Sequence, residues 1–249
     1  MTQLTERAAG PNAVDAARSA RIVMIIVCAG VVLASVDLFI VNVALPQIAR
    51  DFGATDLGSL SWVLNGYAIV YASLLVFFGR LADRYRRDRG FLLGVAIFTA
   101  ASIACAASTS VAMLVAFRLV QAAGAALLTP TSLGLVLAVS APDRRPSAVR
   151  AWTAVGGAAA AVGPVVGGLL VAVDWRWVFL VNVPIGVVAL IAGWRYLPLR
   201  DDIASTALFY LDRPTARRPR TPTADDMEVH LGTAPVPDIG ATPPRAPRD

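Results

Sequence analysis

Apolar positions along this chain gather into six blocks: Ile22–Leu45, Leu60–Phe78, Phe91–Ala107, Val111–Val139, Trp152–Val173 and Trp177–Leu197. Short polar loops separate them. A helix needs roughly 20 predominantly apolar residues to cross a hydrocarbon core, and the blocks approach or exceed that length. They predict six transmembrane helices, the fourth long enough to tilt or protrude. The pattern stops near Asp201. Beyond it, Arg213-Pro-Thr-Ala-Arg-Arg-Pro-Arg-Thr-Pro222 and Pro243-Pro-Arg-Ala-Pro-Arg248 are rich in Pro and Arg without apolar periodicity. Such a segment cannot bury enough surface to fold, which predicts a disordered tail. The expected organisation is an N-terminal arm over 1–21, a membrane bundle over 22–199 and a tail over 200–249.

Composition supports the membrane assignment. The chain is 57% hydrophobic with a mean hydropathy of +0.64, and only 16% of it is charged. A soluble domain carries about 25% charged residues. A net charge of +5 would fit nucleic acid, but the position of the charge excludes that partner. All 22 basic residues are Arg, and most lie in loops beside apolar blocks. Eleven fall on one side of the expected bundle, in the arm and the second-to-third and fourth-to-fifth loops; only Arg50 and Arg176 fall on the other. Arginine-rich loops stay inside, so both termini are expected in the cytoplasm of a multi-pass plasma-membrane protein. Trp62, Trp152, Trp175, Trp177 and Trp194 lie near block ends, where interfacial aromatics are expected.

Several chemistries are excluded. The first apolar block runs on to Leu45 and more follow, unlike a cleaved signal sequence. Cys28 and Cys105 both fall inside blocks, and the single His230 lies in the tail, so no disulfide framework or metal site is expected. The blocks hold no Ser/His pair and no paired carboxylates, so the chain is not expected to be an enzyme.

Two charges inside the blocks carry the functional reading. Asp37 is the one carboxylate well inside a block, and Arg118 lies inside the fourth. Buried charges cost about 2.5–3.5 kcal/mol on insertion scales, so they face a cavity or a partner. At 1.5 Å rise per residue they lie roughly 13 and 10 Å from the outer surface. Similar depth predicts electrostatic coupling between them. The fifth block adds Gly156, Gly163, Gly167 and Gly168 around Pro164, and Gly163 and Gly167, four apart, make a face on which two helices approach closely.

These segments resemble a known family. Asp37-Leu-Phe-Ile-Val-Asn-Val-Ala-Leu-Pro46, Gly79-Arg-Leu-Ala-Asp-Arg84, Val115-Ala-Phe-Arg-Leu-Val-Gln-Ala-Ala-Gly124 and Gly163-Pro-Val-Val-Gly-Gly168 are similar, in order, to motifs of the major facilitator superfamily. The similarity is to the fourteen-span drug:proton antiporter branch. Trp175-Arg-Trp177 and Asn182-Val-Pro184 extend it. Departures are Ala122 where glycine is common, Arg86 where the loop pattern has glycine, and Leu197-Pro-Leu-Arg-Asp201.

The resemblance implies an all-α half-bundle of two three-helix inverted repeats, the N-terminal half of a proton-coupled exporter of drugs or small amphipathic compounds. It implies Asp37 and Arg118 as the proton-coupling pair, the proton as coupling ion and no other cofactor. Gly79, Asp83, Arg84 and Arg87 would form a cytoplasmic gate, with Gly79 permitting close helix contact. Asn42, Asn65, Tyr67, Tyr71 and Gln121 are expected cavity liners. The expected partners are the lipid bilayer, a small-molecule substrate, and either a missing second half or a second copy. A truncated half is the expected state of the chain; a transport-inactive membrane scaffold or regulatory fragment is the alternative.

Overall fold

The structure is a computed structural model that describes residues 11–53, 56–84 and 86–197, with their side chains except those of 11–17, 19, 57, 83 and 84. The tail expected over 200–249 lies outside the described residues. Among the latter there are seven helices and no strand: α1 (Pro11–Asp51), α2 (Leu57–Arg84), α3 (Arg87–Ala106), α4 (Val111–Val139), α5 (Arg145–Val171), the single turn α6 (Trp177–Leu180) and α7 (Asn182–Tyr196). With α6 and α7 taken as one span, six are long and apolar enough to cross a membrane.

Most helices outrun the apolar blocks that predict them. α1 begins eleven residues before Ile22, inside the expected arm, and passes through Pro46 to Asp51. Hydropathy marks only the hydrocarbon crossing, whereas backbone hydrogen bonding continues into the polar flanks. α1 stops at Gly53, whose φ of 58° lies in the left-handed region that glycine enters at least cost. The interruption at Val181 has a covalent cause: Pro184 has no N–H to give the carbonyl four residues back, at Leu180.

The packing follows the two three-helix repeats. α1, first of its triplet, packs on α5, the middle of the other; α4 packs on α2 in the same way, and α1 and α4 meet at the centre. α3 lies along α4 and α7. Bilayer interiors provide no hydrophobic drive between helices, so close backbone approach has to hold them. It does so at two seams. A Cβ on Gly163 would lie 3.2 Å from the Val36 carbonyl oxygen, and one on Gly167 3.1 Å from that of Ile40, on α1. Between α3 and α4 a Cβ on Gly94 would lie 2.7 Å from the Leu128 nitrogen, and one on Gly124 2.7 Å from that of Phe98.

Two apolar core clusters fill the bundle. One includes Val27, Leu33, Phe91, Phe98, Leu128 and Ala189; the other includes Ile40, Leu114, Cys105, Trp175 and Phe179. Five spans pass from one cluster to the other, and four bear a buried polar residue at the crossing: Asp37 on α1, Ser102 on α3, Arg118 and Gln121 on α4, and Asn182 where α6 meets α7; the fifth, α2, passes between Val63 and Tyr67. The site begins there.

Candidate transport site

Asp37 and Arg118 meet in this polar layer, 0% and 1% exposed. Arg118 Nη1 donates to Asp37 Oδ2 at 2.5 Å and to Gln121 Oε1 at 2.7 Å, while Arg118 Nε donates to the Val63 carbonyl at 3.4 Å. The other carboxylate oxygen, Asp37 Oδ1, accepts from Gln121 Nε2 at 2.9 Å and Asn182 Nδ2 at 3.1 Å. Gln121 Nε2 also donates to Ser102 Oγ at 2.8 Å, and Ser102 donates to the Phe98 carbonyl. The guanidinium lies over the Tyr67 ring, 4.0 Å from its centroid, with Phe179 at 5.9 Å. Charge, dipoles and an aromatic face thus compensate one another in a buried layer, as buried ions require. Asn182 and Ser102 are members that sequence reasoning missed. For Asn182 the available signal is an amide within an apolar span, which its place in the motif around Pro184 masks.

Beside the layer lies a cleft of about 200 Å³, walled by α1, α2, α4 and α5. Tyr67 and Tyr71 line it, parallel to within 9° at 6.1 Å between centroids. Tyr71 donates to Thr129 Oγ1 at 3.3 Å, and Trp152 Nε1 donates to Ser132 Oγ at 3.2 Å. Ser35, Thr153, Gly156 and Gly157 complete its polar and open wall. Of the expected cavity liners, Tyr67 and Tyr71 stand there and Gln121 lies in the buried layer. Asn42 and Asn65 do not line the cleft. Both are exposed, and Asn42 donates back to the Leu38 and Phe39 carbonyls of its own helix. At 3.6 residues per turn Asn42 lies only about 40° around α1 from the cleft-lining Leu38 but about one turn farther along, whereas Asn65 lies about 160° around α2 from Tyr67.

The residues expected at the cytoplasmic gate divide. Arg87 crosses from the start of α3 to the end of α4, donating to the Gly134 carbonyl at 3.4 Å; a Cβ on Gly134 would lie 2.6 Å from the Arg87 chain. Next to it Arg86 holds the buried Asp88 through two bonds, of 2.6 and 3.2 Å. The side chains of Asp83 and Arg84 lie outside the described residues. Gly79 makes no close helix contact among the described residues: none of them lies within 4 Å of where its Cβ would be. The same is true of Gly168, whereas Gly156 approaches Val31. Pro164 is exposed inside an unbroken α5.

At the other end Trp175 departs from expectation. It is fully buried rather than interfacial, packed edge-on against Phe52 and Phe179, and its Nε1 donates to Asp51 Oδ2 at 2.7 Å. Arg176 lies 4.4 Å over its ring and bridges Asp51 and Asp174 at 3.6 and 3.7 Å. The cluster ties the end of α1 to the α5–α6 turn.

Comparison with known proteins places this architecture. The profile of the Major Facilitator Superfamily matches residues 27–230. The chain belongs to the major facilitator superfamily. Among curated members, the methylenomycin A resistance protein of Bacillus subtilis (strain 168) is 43% identical over 178 residues, 70% of this chain and 38% of that protein. The tetracenomycin C resistance and export protein of Streptomyces glaucescens is 41% identical over 171 residues, 68% of this chain and 32% of that protein. The chain therefore spans under two-fifths of the length of these two relatives. A crystal structure of a bacterial homologue of the human lysosomal transporter Spinster, inward-facing and unoccupied, superposes with a TM-score of 0.56. It is 19% identical over 72% of this chain and 42% of that one, a likeness of fold. As a facilitator-family chain with six apolar helices, this is a multi-pass membrane protein.

Proposed function

We propose that this bundle is one half of a proton-driven exporter of small amphipathic compounds in the plasma membrane, with both chain ends cytoplasmic and the proton as coupling ion. One observation carries the reading: a fully buried Asp37–Arg118 pair, braced by Gln121, Ser102 and Asn182, lies against the floor of an aromatic cleft. A proton added to Asp37 in this arrangement would cancel the charge that Arg118 needs. Leaving a buried partner uncompensated costs about 3–5 kcal/mol. Protonation therefore favours a different arrangement, in which Arg118 finds water or another acceptor. A bias of that size shifts a two-state equilibrium by about 10²–10⁴-fold, close to what a complete population swing needs. Asp37 is then the proton-binding residue and Arg118 the residue through which its state moves helices. Arg87, together with Asp83 and Arg84, is proposed to steady the cytoplasmic end.

The cleft also supports the half-bundle reading. It is smaller than the 300–1,000 Å³ of ordinary ligand pockets. The two spans flanking it, α2 and α5, are the least buried of the six. A second bundle apposed there, from further chain or from a second copy, would enclose a substrate between two such walls.

The test is efflux of a lipophilic dye from cells expressing the full chain, with the proton gradient intact or collapsed. The expected result is gradient-dependent efflux that Asp37→Asn abolishes without impairing membrane insertion. Efflux indifferent to the gradient or to Asp37→Asn overturns the coupling mechanism. Absence of any efflux, with insertion normal, assigns the chain to the transport-inactive scaffold class.

A further inference from the structure

The cleft contains more information than its volume. None of its lining residues carries a charge, and the nearest ions, Asp37 and Arg118, cancel within the sealed layer beneath. A cationic guest would find no counter-ion there. The Tyr67 face that could receive a cation is already taken by the Arg118 guanidinium at 4.0 Å. The walls instead suit a flat ring: Tyr67 and Tyr71 lie parallel on α2, and Trp152 joins from α5. A Cβ on Gly157 would meet nothing within 4 Å, so the α5 wall is open there.

The polar atoms narrow the class further. The Tyr71, Thr129 and Trp152 donors are engaged, by Thr129 Oγ1, the Ala125 carbonyl and Ser132 Oγ. Tyr67 lines the cleft with its ring buried; its hydroxyl makes no hydrogen bond among the described residues and is not one of the buried orphan atoms, so it opens to the cleft. A phenol hydroxyl that opens to the cleft, uncommitted to the protein, can donate to an acceptor on a guest.

We infer that the cleft binds an uncharged, planar aromatic compound bearing a carbonyl or hydroxyl oxygen, and that Tyr67 is its specificity-determining contact. This rests on the transport reading and names the substrate class for it. The same residue links substrate to ion pair. The Tyr67 hydroxyl takes the guest, while its ring bears the guanidinium that bonds Asp37 at 2.5 Å. A cleft of about 200 Å³ holds one fused ring system and leaves any larger portion of the compound outside it.

The test is equilibrium binding to the full chain in nanodiscs of uncharged lipid, with no proton gradient. The probes are a neutral dihydroxyanthraquinone and the cation tetraphenylphosphonium, and the readout is tryptophan quenching with competition by the unlabelled compound. The quinone should bind saturably and the cation at least tenfold more weakly. Tyr67→Phe keeps the ring and the guanidinium contact but removes the donor, and should weaken quinone binding roughly 3- to 10-fold. Tyr71→Phe, whose hydroxyl already has a partner, should change it less than twofold. Gly157→Leu builds out from a position where a Cβ meets nothing within 4 Å among the described residues, into the open wall, and should abolish binding. Equal affinity for the two probes overturns the inference, as does wild-type quinone affinity in Tyr67→Phe or Gly157→Leu. Gradient-driven dye efflux without quinone binding would sink this inference and leave the transport reading standing. Quinone binding without efflux would do the reverse.

Discussion

Replacing Asp37 by Asn changes one oxygen to an amide and leaves the shape of the polar layer intact. The amide oxygen can still accept from Gln121 and Asn182, but Arg118 Nη1 now meets a second donor. A guanidinium 1% exposed is left with Gln121 Oε1, the Val63 carbonyl and the Tyr67 face. Orphaning a buried charge costs about 3–5 kcal/mol, and these remaining contacts put the expected loss near the lower figure. At about 2–4 °C per kcal/mol for a chain of this length, the melting temperature should fall roughly 6–12 °C. Arg118→Gln should cost a comparable amount by orphaning the carboxylate. The double variant, Asp37→Asn with Arg118→Gln, removes both charges and can restore an amide hydrogen bond. It should lie within about 2 kcal/mol of wild type rather than the roughly 6 kcal/mol of two added losses, a coupling energy of about 4 kcal/mol or more, above the usual 0.5–3 kcal/mol for residues in contact. Thermal melts of the purified chain in micelles, followed by tryptophan emission and size exclusion, measure all four forms. A single variant melting with wild type, or a double variant losing the sum of the singles, would refute the claim that these two charges compensate each other.

Three further outcomes follow from the packing and the loops. Gly124→Ala forces a methyl to 2.7 Å from the Phe98 nitrogen and should cost about 1–3 kcal/mol, whereas Gly79→Ala, with nothing nearby, should stay within about 0.5 kcal/mol in the same melts. Trp175→Phe keeps its aromatic neighbours but loses the bond to the half-exposed Asp51. About 1 kcal/mol of local stability should go with it, seen as faster amide exchange in the last turn of α1. Asp56 precedes α2, and its carboxylate accepts the backbone N–H groups of Gly58 and Ser59, which hold its pKa below the usual 3.8. That support is complete above pH 3.8 and is lost as pH falls through the depressed value, so amide exchange at Gly58 and Ser59 should quicken only in strongly acidic solution.

Depth was legible in the sequence and azimuth was not. The rise of a helix places Asp37 and Arg118 at one level from their distance to the block ends, and the structure joins them there. Which way a side chain faces depends on what packs against it, and a lipid-soaked helix gives little amphipathic stripe to reveal that. Polarity alone puts Asn42 and Asn65 in the cavity; Asn65 is turned away from the cleft, whereas Asn42 shares the Ser35 and Leu38 side of α1 and lies about one turn beyond the lining. Trp175 was expected at the interface for being an aromatic near a block end, and burial by Phe52 and Phe179 could not be read from position. The glycine seams were half legible. Gly163 and Gly167 declare themselves by spacing, and Gly90 and Gly94 have the same spacing without the proline that drew notice to the fifth span.

Where Gly94 crosses Gly124, main chain rests on main chain with no side chain between. Side-chain contacts give way by changing rotamer; a crossing of bare peptide groups has no such compliance. Any large excursion of this half must therefore carry α3 and α4 as one rigid unit. The hinging falls to helices that touch through side chains, chiefly α2 on α4, where Gly66 meets the flexible end of Leu119.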